Sequence, residues 1–246
     1  MPPNESPHPE DDAEEVPAPD ARRVAARCGA LVALAYRSLL ERGGSPPPDD
    51  TDRLGMLAWI DASAPDVAGE IEPAERALLE RPVGSLSEVQ VRDASWLVEP
   101  AAVLAWSLGR MDLPAYDVAV DGERVARAIG FLDAPWTAPD AATLRDRGEL
   151  EDAWASALAL HWRLRQWDGD HKPMDFARFV ATCRWAPLHT RGLALWDGDL
   201  LLRGRRLAKA GDDYPECYSL ARERHRALEW LLGDNAVLWS DVTTDT

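Results

Sequence analysis

Apolar side chains recur every three or four residues along most of the chain, which is the spacing of one face of an α-helix. Between residues 21 and 42, for example, that face carries Val24, Cys28 and Leu31. The pattern predicts helices at Ala21–Arg42, Asp52–Ala62, Pro73–Glu80, Leu86–Arg110, Asp121–Leu132, Ala138–Arg147, Glu149–Trp167, Asp175–Trp185 and Cys217–Leu232. Pro100 interrupts the fourth of these, and a proline inside a helix forces it to kink or to restart.

The period changes to two residues around Asp197 and Gly198, a pair that strongly favours the turn of a β-hairpin. With these two residues as the turn, Leu195 pairs with Leu200, and the leucines of both strands share one face. A lone hairpin is barely stable in water, so this one should pack its leucine face on the helices. We therefore predict a mainly α, bundle-like fold with one small β-hairpin near residues 193–203.

The first twenty residues differ from the rest of the chain. Met1–Asp20 contains seven acidic residues and six prolines but no lysine or arginine, so it cannot bury enough apolar surface to order itself. We predict a disordered, acidic, proline-rich tail at residues 1–20, followed by a single helical domain at residues 21–246.

Composition narrows the possible partners and the compartment. The net charge of −16 argues against binding to nucleic acid or to an anionic membrane surface, but it permits a basic protein partner. Cys28, Cys183 and Cys217 are far apart and odd in number, which indicates reduced thiols in a cytoplasmic protein. No signal peptide is recognisable. Arginine supplies 25 of the 27 basic residues, as in proteins from high-GC bacterial genomes.

Sequence motifs for cofactors and metals are missing. There is no P-loop, no dinucleotide-binding glycine motif and no G-x-S-x-G, and His161, His171 and His189 do not have the spacing of zinc ligands. The tetrapeptide WDGD occurs at Trp167–Asp170 and Trp196–Asp199. Neither copy is followed by the glutamate that ends a calcium-binding loop, so we interpret both as turns. We predict no cofactor and no metal site.

The helix predicted at Cys217–Leu232 carries Arg224 and His225 inside its apolar stripe. Because arginine cannot shed its charge, burial requires an anionic partner. The chain end, WSDVTTDT, offers such partners in Asp241, Asp245 and the terminal carboxylate, and Trp239, one of eleven tryptophans in the chain, can clamp it onto the body. We expect this end to be ordered and docked on the body, in a polar cluster composed of Arg224, His225, Asp241, Thr243, Thr244, Asp245, Trp230 and Trp239.

Two segments near the chain end, ERHRALEWL at Glu223–Leu231 and WSDVTTDT at Trp239–Thr246, resemble the bacterial domain of unknown function numbered 4272. SWLVEPAAVLAWSLG at 95–109 and ALHWRLR at 159–165 resemble it more loosely. The chain departs from the family at Pro100, where a helix former is expected, and at Glu229, where asparagine is usual. The resemblance implies a shared fold and characteristic positions, and it implies no reaction.

Glu99 is the only ionisable side chain between Asp93 and Arg110. Inside an apolar helix it must be either neutral or paired. One interpretation is a buried ion pair with Arg224 or His225. The other is a general acid or base with a raised pKa, in which case His225 is a second candidate catalytic residue.

Two hypotheses about function follow from these features. The first is a soluble, intracellular protein-interaction module, which fits the negative charge and the lack of catalytic motifs. The second is an enzyme or small-molecule binder with a polar pocket around Glu99, His225 and the C-terminal tail. An open pocket of a few hundred Å³ beside these residues favours the second hypothesis, whereas a dry and fully paired cluster favours the first.

Overall fold

A computed structural model of the protein describes residues 18–42, 50–63, 66–133, 143–233 and 238–244. The first half contains α1 (Ala21–Leu40), α2 (Thr51–Ala62), α3 (Asp66–Gly69), α4 (Pro73–Glu80), α5 (Glu88–Trp96), α6 (Val98–Ser107) and α7 (Gly122–Ile129). The second half contains α8 (Arg147–Asp170), α9 (Phe176–Thr182), β1 (Leu195–Trp196), β2 (Asp199–Leu202), β3 (Arg205–Arg206) and α10 (Asp213–Leu232), with 3₁₀ turns at Leu207–Lys209 and Trp239–Asp241. The predicted mainly α fold class is confirmed.

The interruption that Pro100 predicts is a restart of the helix. α5 ends at Trp96, Leu97 separates the two helices, and α6 begins at Val98. Pro100 is then the third residue of α6, where a backbone N–H would have no partner within the helix in any case. A proline in this first turn therefore costs the helix no hydrogen bond.

The predicted hairpin is present, with Leu195 opposite Leu200 and Trp196 opposite Asp199. Asp197 and Gly198 both have positive φ, 53° and 79°, as a two-residue hairpin turn of this kind requires. The sequence did not predict β3, which pairs antiparallel with β2. A strand of two exposed arginines has no alternation of apolar and polar side chains that could reveal it.

Several predicted boundaries are wrong. Residues 143–146 are not helical, and α8 begins only at Arg147, where the Asp146 carboxylate accepts a hydrogen bond from the Gly148 N–H at 2.8 Å; the rest of the helix predicted at Ala138–Arg147 lies outside the described residues. α8 continues to Asp170, so the first WDGD is helical rather than a turn. The last long helix, α10, starts at Asp213, four residues before the predicted start, and α9 ends at Thr182.

The helices pack around two apolar clusters. In the first cluster, α1 lies against α5 and α6, and the C-terminal half of α10 completes the core. In the second, α8, α9 and the start of α10 enclose the inward-facing Leu200 and Leu202 of β2. Because α10 contacts both α6 and α8, it joins the two clusters. Within the part of the chain that the structure describes, no helix has the length and apolar character needed to cross a membrane.

The N-terminal tail and the body meet at Asp20. The Asp20 carboxylate accepts a hydrogen bond from the Arg23 N–H at 2.8 Å and so caps α1, which places this residue in the ordered body rather than in the tail where we predicted it. Pro19, which also belongs to the predicted tail, is buried, and residues 1–17 lie outside the described residues.

Candidate functional site

Glu99 is the second residue of α6 and is 1% exposed. One carboxylate oxygen, Oε1, accepts a hydrogen bond from the backbone N–H of Val120 at 2.9 Å. The other, Oε2, accepts from Nε of Arg224 at 2.9 Å and lies 2.8 Å from its Nη2. Both oxygens are therefore paired, and the position in the first turn of α6 adds the favourable field of a helix N-terminus.

Arg224 faces inward from α10 and holds the loop between α6 and α7. Its Nη1 donates to the carbonyl oxygen of Ala115 at 3.0 Å, and its Nη2 donates to that of Val118 at 2.7 Å. The ion pair of Glu99 with Arg224, one of the alternatives that the periodicity indicates, is thus present in the fold. It connects α6, the loop and α10 in one hydrogen-bonded network.

His225 does not contact Glu99 in this network; it joins a second buried cluster, between α8 and α10. Its Nδ1 lies 3.1 Å from Nδ1 of His161, and its Nε2 lies 2.9 Å from Oε1 of Glu229. In the neutral pair one Nδ1 donates a hydrogen bond to the other. Burial, followed by the charges of His225, Arg165 and Arg222, lowers the pKa of His161 to about 3.

The C-terminal segment docks through Trp239, which is 4% exposed. The guanidinium groups of Arg27 and Arg226 lie over its ring, at 5.0 and 5.1 Å from the centroid, and the ring packs edge-on against Trp230 at 5.8 Å. Arg226 also donates a hydrogen bond from Nη2 to the carbonyl oxygen of Trp239 at 2.8 Å. The Ser240 N–H donates a further hydrogen bond to Oε1 of Glu72 at 3.0 Å. Cation–π contacts and these two hydrogen bonds therefore hold the tail.

The carboxylate that pairs with Arg224 is that of Glu99, not that of Asp241, one of the tail carboxylates expected to pair with Arg224 or with another core-facing arginine. Asp241 and Thr243 are both exposed. Arg224 is satisfied by Glu99 and by backbone carbonyl groups, so it has no need of a tail carboxylate. Thr244 is half-buried, and Asp245 lies outside the described residues.

A cleft of about 370 Å³ lies beside Arg224, where α6, α8 and α10 meet. Its walls are mainly apolar, with Val103 from α6, Leu160 from α8 and Leu228 from α10. Neither Glu99 nor His225 is among the described residues that line it. The cleft thus reaches the ion pair from the Arg224 side.

Polar groups of the cleft come from two loops and from α8. Tyr116 and Ser156 line it, and so does Arg191, which lies in the loop after α9 with a side chain that is 71% exposed. Arg191 forms an ion pair with Asp152 of α8, and its carbonyl oxygen accepts a hydrogen bond from the Ser156 hydroxyl at 2.6 Å. These contacts fasten the loop to α8.

Sequence reasoning missed the roles of His161, Glu229, Arg27 and Arg226. His161 lies on the apolar face of the helix predicted at Glu149–Trp167, and Glu229 follows His225 by one helical turn, so the spacing held a signal for both. The arginines around Trp239 gave no such signal, because their partner is fixed only by the tertiary fold. Among the described residues, no group of three or more His, Cys, Asp or Glu side chains is placed to hold a metal ion.

Comparison with known proteins identifies a family for this chain but no activity. No curated protein and no solved structure matches this chain. Residues 1–179 match the family described as "Domain of unknown function (DUF4272)". This range includes the segments 95–109 and 159–165 that resemble the family, whereas the two segments near the chain end lie beyond it. Because the match covers more than half of the 246 residues, the chain belongs to the DUF4272 family.

Proposed function

We propose that this protein binds a small, mainly apolar molecule in the cleft beside Arg224. The observation that carries the proposal is the cleft itself: about 370 Å³, walled by apolar side chains, with a few polar groups at fixed positions. Ligand sites typically have volumes of about 300–1,000 Å³ and this kind of lining. The position where three helices and both apolar clusters meet supports the same conclusion.

The contacts of Glu99 fit a protein that binds a ligand without using this side chain as a catalytic residue. A general base needs a free lone pair within reach of substrate. Both oxygens of Glu99 accept hydrogen bonds from protein groups, and the side chain is 1% exposed. We assign Glu99 the role of a positioning residue that holds Arg224 and the loop at residues 115–118 against the cleft.

A thermal-shift screen of a bacterial metabolite pool tests this proposal. A ligand present at about 100 times its Kd stabilises the native state by about 2.7 kcal/mol, which raises the melting temperature of a chain of this size by roughly 5–10 °C. The variant Ala157→Trp fills the cleft and should lose the shift. Hits that stabilise this variant as much as the native protein would contradict the proposal.

Protein interaction is the second candidate function, favoured by the net charge of −16 and by a Glu99–Arg224 pair that needs no ligand. The partner would be a basic protein in the bacterial cytoplasm, a location that the three free cysteines and the high arginine content support. An affinity that falls steeply between 50 and 200 mM salt, roughly as screening requires, would support it. A complex indifferent to salt would contradict it.

A further inference from the structure

The cleft beside Arg224 is lined by two arginines, yet both have a partner carboxylate. Arg224 lies 2.8 Å from Oε2 of Glu99, and Arg191 forms an ion pair with Asp152. Among the described residues that line the cleft, these two are the only basic side chains, and no acidic side chain lines it. The positive charge of each arginine beside the cleft is therefore compensated by the negative charge of its partner carboxylate.

Arg224 also has little hydrogen-bonding capacity left for a ligand. A guanidinium group carries five N–H bonds. Its contacts with Glu99, Ala115 and Val118 occupy four of them, namely Nε–H, both hydrogens of Nη2 and one of Nη1. An incoming carboxylate or phosphate would thus meet neither a bidentate pair of donors nor an uncompensated positive charge, and it would lose its hydration.

The hydroxyl groups of two residues that line the cleft likewise already donate hydrogen bonds to backbone carbonyl oxygens. Tyr116 donates to the carbonyl oxygen of Leu201 at 2.5 Å, and Ser156 donates to that of Arg191 at 2.6 Å. Burial, with a smaller effect of Asp117, raises the pKa of Tyr116 to about 12, so its phenol stays neutral. With their protons in use, the oxygens of these two lining residues keep only lone pairs, which can accept a hydrogen bond from a ligand but cannot donate one.

We propose that the ligand of this cleft is a neutral, mainly apolar molecule carrying a hydrogen-bond donor, and not the anion that two arginines would suggest. The inference rests on the proposed function, because it names the ligand class of the same cleft. Aromatic amines and phenols have this combination of an apolar body and an N–H or O–H donor.

Two fluorescent probes that differ by a single charged group test the ligand class. N-phenylnaphthylamine is neutral and has an N–H donor, whereas anilinonaphthalenesulfonate adds a sulfonate to the same framework. Titrations of the full chain at pH 7 should give a Kd for the neutral probe at least about tenfold lower, since the sulfonate is desolvated without a free cation. Equal or tighter binding of the sulfonate overturns the inference but leaves the proposed function standing. Binding of neither probe overturns both.

A matched pair of variants assigns the bound probe to the cleft. Ala157 lines it, whereas Ala126 lines a separate apolar pocket between α1 and α7. Ala157→Trp should abolish binding of the neutral probe, and Ala126→Trp should leave its Kd within about twofold. If Ala157→Trp does not fold, the smaller Ala153→Phe fills the same cleft and should raise the Kd. Loss of binding in the Ala126 variant alone would place the probe elsewhere and overturn the inference.

The substitution Asp152→Asn tests whether charge compensation at Arg191 sets the ligand class. Asp152 is 53% exposed, so the change leaves the core intact, but it frees the charge of Arg191 at the cleft. We expect affinity for the sulfonate to rise about two- to fivefold, in line with the strength of an exposed ion pair, while the Kd of the neutral probe stays constant. An unchanged ratio of the two affinities would show that charge compensation does not set the ligand class.

Discussion

The substitution Glu99→Gln tests the buried ion pair most sharply, because it removes one charge and hardly changes the volume. The amide has one oxygen and one NH₂ group. If the oxygen accepts from Arg224, the NH₂ faces the Val120 N–H; if it accepts from Val120, the NH₂ faces the guanidinium. Either orientation places two donors together and leaves a buried cation without its anion. We expect a loss of about 3–5 kcal/mol in the free energy of unfolding.

Urea unfolding monitored by circular dichroism measures this loss, with the slope of the transition checked against the native protein. Glu123→Gln is the matched control. Glu123 pairs with Arg127 on the surface of α7, where its side chain is 79% exposed, so its replacement should cost well under about 1 kcal/mol. A loss below about 1 kcal/mol for Glu99→Gln would refute the conclusion that the pair ties α6 to α10.

Three further predictions concern the tail, the histidine pair and the cysteines. Trp239→Ala should cost about 3–5 kcal/mol of unfolding free energy in the same assay, because it empties a buried site and removes the contacts with two guanidinium groups; a loss under about 1 kcal/mol would contradict docking through this ring. The pKa of His161 is about 3 in the fold and ordinarily 6.5, so above pH 6.5 the side chain is neutral in both the folded and the unfolded chain. As the pH falls to about 4.5, only the unfolded chain takes up the proton, and the free energy of unfolding falls by about 3 kcal/mol. In melting curves across this range, His161→Asn, which keeps a donor for the neighbouring ring, should flatten the pH dependence, whereas the same change at the exposed His171 should not. Burial raises the pKa of Cys28 to about 12, so iodoacetamide at pH 8 should label the half-buried Cys183 first by mass spectrometry, and equal labelling would count against the burial of Cys28.

Helical periodicity predicted much of this fold because most of the core comes from helices with a regular apolar stripe. It placed Glu99 in an apolar helix and Arg224 and His225 on an apolar stripe, and the cost of burying an isolated charge indicated that Glu99 pairs with one of these two. The Asp197-Gly198 turn was predictable for a different reason, since its backbone requires residues that accept positive φ.

What could not be predicted depends on contacts between elements distant in sequence. Asp241 is two residues from Trp239, and both were reasonable anchors for the tail. Trp239 is the anchor because it forms cation–π contacts with Arg27 of α1 and with Arg226 of α10. The cleft likewise depends on how three helices diverge, and no local pattern of side chains encodes that geometry.

A crystal structure of the full chain with N-phenylnaphthylamine tests the central claim most directly. We predict that the naphthyl ring lies against Val103 and Leu228, that its N–H faces the oxygen of Ser156 or Tyr116, and that the Glu99–Arg224 ion pair remains intact. Density for the probe at another site, with the cleft beside Arg224 left to water, would contradict the claim.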